Sequence, residues 1–233
     1  MERLRPGRIA HERLTRLRRG GFSVVEMLVV LAIIGVLSVI VIVGHSSFSQ
    51  TLLLANTTSD VALSLRNAQV YGIGSRAIGA VSNAGYGIDF SSANPSSFTF
   101  FADIDPNPCT TSYNPTCKIG NNLYSNATEL VQTFLLNNGM KIDNFCAIAG
   151  SNTYCKTGGT VNEMKQLSIV FTRPNTSAIF TIVNSSDAVV TGVSFTKVCV
   201  TIASPEGASR SLFVTQVGGI AKGGSCPPSG GAL

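Results

Sequence analysis

Residues 22–44, FSVVEMLVVLAIIGVLSVIVIVG, are a run of 23 residues in which Glu26 is the only charge. Wound as an α-helix at about 1.5 Å per residue, the run spans roughly 35 Å, against a hydrocarbon core of about 30 Å in a typical bilayer. That length and composition predict a single membrane-crossing helix. A carboxylate inside hydrocarbon costs on the order of 2.5–3.5 kcal/mol on insertion scales, so Glu26 requires a role that a plain anchor does not supply.

Charge on either side of the run sets its orientation. Residues 1–21 carry seven arginines against Glu2 and Glu12, and from Phe22 onward ten basic residues balance ten acidic ones. Arginines stay on the cytoplasmic side, which sends the remainder of the chain across the membrane. The sequence pI of about 9.0 therefore belongs to the first 21 residues. If they are removed, the product has no general electrostatic pull on phosphate, and a nucleic-acid partner is not expected. A secretory signal peptide explains the arginines but not an apolar run this long without a small-residue cleavage site at its end. A signal anchor explains the length and the asymmetry, and leaves Glu26 unexplained.

All six cysteines, Cys109, Cys117, Cys146, Cys155, Cys199 and Cys226, follow the apolar run. Six cysteines allow fifteen connectivities. Their local clustering suggests the pairs Cys109–Cys117, Cys146–Cys155 and Cys199–Cys226, in keeping with an oxidising compartment, ahead of free buried thiols. Metal binding comes last: no CxxC occurs, and the only histidines, His11 and His45, lie outside the cysteine-bearing region. No cofactor is implied.

Gly21-Phe22-Ser23-Val24-Val25-Glu26, followed by Met27-Leu28-Val29-Val30-Leu31-Ala32, resembles the prepilin cleavage and methylation signal of type IV pilins and type II secretion pseudopilins. The resemblance covers residues 18–45. It implies a cut by prepilin peptidase between Gly21 and Phe22, methylation of the new amine on Phe22, and an assembly role for Glu26. It also implies an inner-membrane subunit, single-pass with a cytoplasmic amino terminus. Its partners would be other pilin or pseudopilin subunits, the peptidase, membrane lipid and an inner-membrane assembly platform.

Past the membrane, residues 45–77 read as a continuing helix. Leu54, Thr58, Val61, Leu65, Ala68 and Gly72 form a stripe of three- and four-residue steps, which predicts a face packed on a sheet. Glycines from Gly72 to Gly79 predict its end. Runs rich in Val, Ile, Phe and Thr predict strands at 86–90, 97–102, 130–136, 141–148, 167–172, 178–183, 193–203 and 209–217. Asn137-Asn138-Gly139 is a turn, and Ser204-Pro205-Glu206-Gly207 reads as the hairpin loop between the last two strands. Residues 103–128, with three prolines, look like an irregular insertion pinned by a disulfide.

The expected fold is α+β: a long amino-terminal spine helix packed on an antiparallel β-sheet. The expected divisions are a leader at 1–21, a transmembrane helix at 22–44, an amphipathic helix at 45–79, a β-rich ectodomain at 80–222 and a flexible tail at 223–233. The helix-then-strands order, with LSLRNAQVYGIGSR, IVFTRPNTSAIFTI and SRSLFVTQVGGI, is similar to the GspH/FimT group of minor pilins and pseudopilins.

Other function classes fare worse. The ectodomain has no histidine beyond His45 and no GxSxG, which removes Ser–His triads and histidine metal sites, and no enzyme is expected. Asp103 and Asp105 in DIDPNPC could form a carboxylate pair or hold a cation, but acidic loops of this kind are more often solvated turns. A DNA-uptake pilin and an adhesin-like tip subunit remain the alternative readings.

Overall fold

The computed structural model describes residues 21–74, 76–79, 81, 83–105, 119–156 and 163–227. They fall into two compact units, one ending at His45 and one beginning at Ser46. Helix α1, Val24–Ile73, contributes to both.

In the first unit, Val24–Val41 is long and apolar enough to cross a membrane, and none of it is covered by protein. Its one serine past the first turn, Ser38, donates from Oγ to the Ile34 carbonyl (2.8 Å), so the hydroxyl needs no outside partner.

In the second unit the helix reverses its habit. Leu54, Thr58, Val61, Leu65, Ala68 and Gly72 are all buried, whereas Leu63 and Val70 on the other side are exposed. Thr58 sits in this apolar stripe because its hydroxyl donates to the Leu54 carbonyl (2.7 Å). Gly72 is required by proximity, since a Cβ there would collide with the Phe171 carbonyl. The helix stops at Ile73, before Gly74.

The strands are β1 (Gly85–Ser91), β2 (Ser97–Asp103), β3 (Leu130–Leu135), β4 (Lys141–Ala149), β5 (Asn152–Cys155), β6 (Met164–Phe171), β7 (Ala178–Asn184), β8 (Lys197–Ala203), β9 (Ser209–Thr215) and β10 (Ile220–Lys222). They form two antiparallel five-stranded sheets rather than one, in the orders β3-β2-β1-β6-β7 and β10-β9-β8-β4-β5. The Asn137-Asn138-Gly139 turn is the corner between them. Asn138 and Gly139 both take left-handed φ values (58° and 72°), which turns the chain out of the first sheet instead of folding β4 back on β3. Period-two alternation aims Tyr86, Ile88 and Phe90 from β1, Leu167, Ile169 and Phe171 from β6, and Val198, Val200 and Ile202 from β8 into one core with the helix stripe. In β4 the core residues Ile142 and Phe145 are three apart; a register shift between Ile142 and Asn144 restores both to the same face.

Two details depart from the sequence expectation. A further short strand, β10, follows the hairpin in which the Ser204–Gly207 loop joins β8 to β9. β8 begins at Lys197 rather than 193. The Cys199–Cys226 bond ties the start of the tail back to β8, and Gly223 donates to the Ser211 carbonyl (3.0 Å).

The end of the insertion, 119–126, runs as a strap over the face of the first sheet that points away from the core. Tyr124 packs its ring on Phe101, with centroids 5.5 Å apart. Buried carboxylates hold the strap through backbone amides. Asp103 accepts from the N–H groups of Asn121 (2.9 Å) and Asn122 (2.8 Å), and Glu129 accepts from those of Ser125 (2.7 Å), Asp105 (3.0 Å) and Ile104 (3.2 Å). Asp89 works through neutral intermediaries. Ser168 Oγ (2.5 Å) and Gln166 Nε2 (2.9 Å) donate to its Oδ1, Gln166 also donates to the Tyr124 carbonyl (2.9 Å), and Ser168 accepts from the Tyr124 N–H (3.2 Å). Burial pushes the Asp89 carboxyl up to about 7, against the pull of these two hydrogen bonds.

Two outcomes are expected in urea denaturation of the disulfide-bonded protein. Gly72→Ala costs about 1–3 kcal/mol by overpacking, while Leu63→Ala on the exposed face stays within about 0.5 kcal/mol. Because the Asp89 value lies above its ordinary 3.8, the stability that its bound proton supplies is complete below about pH 4 and is lost as pH rises through 7. The stability of Asp89→Asn relative to wild type therefore grows between pH 5 and pH 8, by about 2 kcal/mol; a difference constant across that window contradicts the assignment.

Candidate functional site

Gly21, Phe22 and Ser23 precede the helix and are not helical. A Cβ added to Gly21 would meet nothing within 4 Å, and Phe22 is 74% exposed. The Gly21–Phe22 bond thus lies in an open, non-helical segment, the conformation that a protease cleft accepts.

The helix start is set by Ser23. Its Oγ accepts from the Val25 N–H (3.3 Å) and its carbonyl from the Met27 N–H (3.2 Å), which makes Ser23 the N-cap. Glu26 then falls on the third helical residue, in the first turn. Ser-x-x-Glu is the capping-box spacing. This local reason for an acid was present in the sequence as Ser23-Val24-Val25-Glu26, and the resemblance to a processing signal overshadowed it. An acid there also meets the positive end of the helix dipole, worth about 0.3–1 kcal/mol. Among the described residues, no hydrogen-bond donor or cation satisfies the Glu26 carboxylate, which is exposed beside the uncovered apolar surface.

The suggested disulfides fall as follows. Cys146 and Cys155 are bonded and stand opposite each other in the β4–β5 pair. Cys199 and Cys226 are bonded, closing the segment after β10 onto β8. Cys109 and Cys117 lie outside the described residues.

Asp103 and Asp105 do not make a cation site together. Asp103 spends both oxygens on the strap amides, and Asp105 Oδ2 accepts from Asn126 Nδ2 (2.6 Å). Among the described residues no three His, Cys, Asp or Glu side chains gather as metal ligands. The residues that sequence reasoning missed are Asp89, Gln166, Ser168 and Glu129. For Asp89, Gln166 and Ser168 the only sequence signal is a polar side chain inside otherwise apolar strands, as in GYGIDFS and MKQLSIVF; Glu129 ends the short 3-10 helix before β3 and has no such signal.

The family model of the prokaryotic N-terminal methylation motif matches residues 16–42. No curated protein and no solved structure matches the chain. The motif, the non-helical Gly21–Phe22 junction and the uncovered apolar helix behind it together support a type IV pilin-like, membrane-anchored protein.

Proposed function

We propose that the chain is a minor pilin or pseudopilin of the GspH/FimT group. It is cut between Gly21 and Phe22, methylated on Phe22, held in the inner membrane by residues 22–44, and assembled into a type IV pilus or a type II secretion pseudopilus. The second unit faces the periplasm or the cell exterior and performs no chemistry; its work is assembly. The finer placement in the group rests on the order of a spine helix followed by strands.

The observation that carries the reading is Glu26, without a partner among the described residues, in the first turn of a helix whose apolar surface is bare. Cleavage creates a positive amine on Phe22, next to the positive end of the helix dipole, where a cation is disfavoured. Glu26 of a neighbouring subunit offers that amine a carboxylate. Pairing removes two isolated charges from an apolar environment at once, and the bare helices close around the pair. Breaking a buried pair of this kind by removing one member costs about 3–5 kcal/mol.

Two substitutions test this. Glu26→Ala should leave the protein processed and in the membrane fraction, while its amount in sheared filaments falls more than about tenfold, as a loss above 1.4 kcal/mol requires; incorporation equal to wild type overturns the pairing. Gly21→Asp should leave the full leader on the purified protein by intact mass; a variant processed like wild type overturns the requirement for Gly21, and a wild-type product that begins at any residue other than Phe22 overturns the cleavage site.

A further inference from the structure

Asp89 lies at the floor of a cleft of about 250 Å³ between the β1–β2 turn and the strap, with Ser91, Asn94, Ser97, Thr99 and Ser125 around it. Asp89 is 4% exposed, and the two groups that donate to its Oδ1, Ser168 and Gln166, are both neutral. None of the residues lining the cleft is basic. Lys165, beside Gln166 on β6, is committed to Asp187 (2.8 Å). The titratable groups on the strap side are Tyr124 and Glu129, and neither brings a positive charge; burial raises the Tyr124 phenol, and Asp89 and Glu129 raise it further.

An ionisable group is more than the strap requires. An asparagine carbonyl would accept from Ser168 and Gln166 equally well and would not carry the penalty of a buried charge. Its walls combine hydroxyl and amide groups with the rings of Phe98 and Tyr124. Among the described residues around it, none supplies a positive charge.

We propose that the cleft over Asp89 binds a primary ammonium group. An ammonium has three N–H donors and no acceptor. Asp89 supplies the carboxylate, and the hydroxyl and amide oxygens of Ser97, Thr99 and Asn94 supply the remaining acceptors. Calcium fits less well, because it takes 6–8 oxygens and is usually held by several carboxylates, whereas Asp89 is the one carboxylate on this cleft. The ammonium favours the ionised form of Asp89, so binding strengthens as pH rises through the range in which that carboxyl titrates. The proposal concerns the second unit alone and does not depend on leader cleavage or on filament assembly.

The test uses the full-length protein in detergent, isotopically labelled and followed by NMR at the Ser97, Thr99 and Gln166 amides. The probes are n-butylammonium chloride, standing for a free amine, and Nα-acetyl-lysine amide, standing for a protein side chain. Sodium chloride at matched ionic strength and calcium chloride are the controls. Saturable shifts are expected with the amines at pH 8, with affinity about tenfold weaker at pH 6, as a carboxyl near 7 dictates. Asp89→Asn should abolish them. Ser97→Leu, which fills the cleft and leaves Asp89 in place, should do the same with both disulfides intact, which separates loss of binding from loss of fold. A larger response to Nα-acetyl-lysine amide assigns a protein lysine as the natural occupant, and a larger response to butylammonium assigns a free amine. Shifts that persist in Asp89→Asn, no saturable response at pH 8, or a response to calcium alone each overturn the proposal.

Discussion

Among the described residues nothing covers the surface from Val24 to Val41, which is long and apolar enough to lie in hydrocarbon or against the helices of other chains. Burial of apolar surface is worth about 25 cal/mol per Å², and a helix of this length presents many hundreds of Å². In a bilayer that burial comes without specificity, since lipid tails are as apolar as leucine. Specificity between such helices comes from close packing and from polar groups placed within the apolar run, and Glu26 is the one charged group there. The same helix meets the opposite requirement after Ser46, where one stripe packs on two sheets and the exposed side is left with isolated apolar residues such as Leu63 and Val70.

The acids of the second unit show how this chain satisfies a carboxylate when it can do so internally. Asp103 and Glu129 are fully buried and each accepts from two or three backbone N–H groups, which costs no counter-charge and fixes the path of the strap. Asp89 has two neutral side-chain donors, and burial raises its carboxyl to about 7 against their pull. Glu26 has neither solution among the described residues. These are three levels of satisfaction for one functional group, and the less complete the internal one, the stronger the reason to look for a partner outside the chain.

Much of this was legible in the sequence, and the reason is periodicity. The stripe from Leu54 to Gly72 is a period of 3.6 that only a helix places on one face, and all six positions are buried. Eight of the ten strands could be read from β-branched and aromatic runs. The two missed ones, β5 and β10, have four and three residues, too short to show a period, and β5 is defined by the cross-strand Cys146–Cys155 bond. The division into two sheets was not legible, because it depends on whether Asn138-Gly139 closes a hairpin or turns a corner, and the same residue types do both. The processing junction could be read because its residues are contiguous. The strap and the Asp89 cleft could not, because Asp89, Tyr124 and Gln166 are brought together only by strand pairing and by the return of a 23-residue excursion between β2 and the short 3-10 helix Ala127–Glu129.

Under the proposed function, the leader acts as more than an address. The residues before Phe22 hold seven arginines against two glutamates, while the rest of the chain is balanced. Two uncut subunits therefore bring like-charged segments together at the point where their helices would pack, and like charges there oppose association. One peptide-bond cleavage removes that repulsion and in the same step creates the cation that Glu26 lacks. Methylation leaves that charge in place while making the amine less costly to desolvate. Ser23 contributes from its own position: by fixing the first helical residue at Val24, it keeps the scissile bond outside the helix and Glu26 inside it, so that the group to be cut and the group to be paired lie five residues apart in two different backbone conformations.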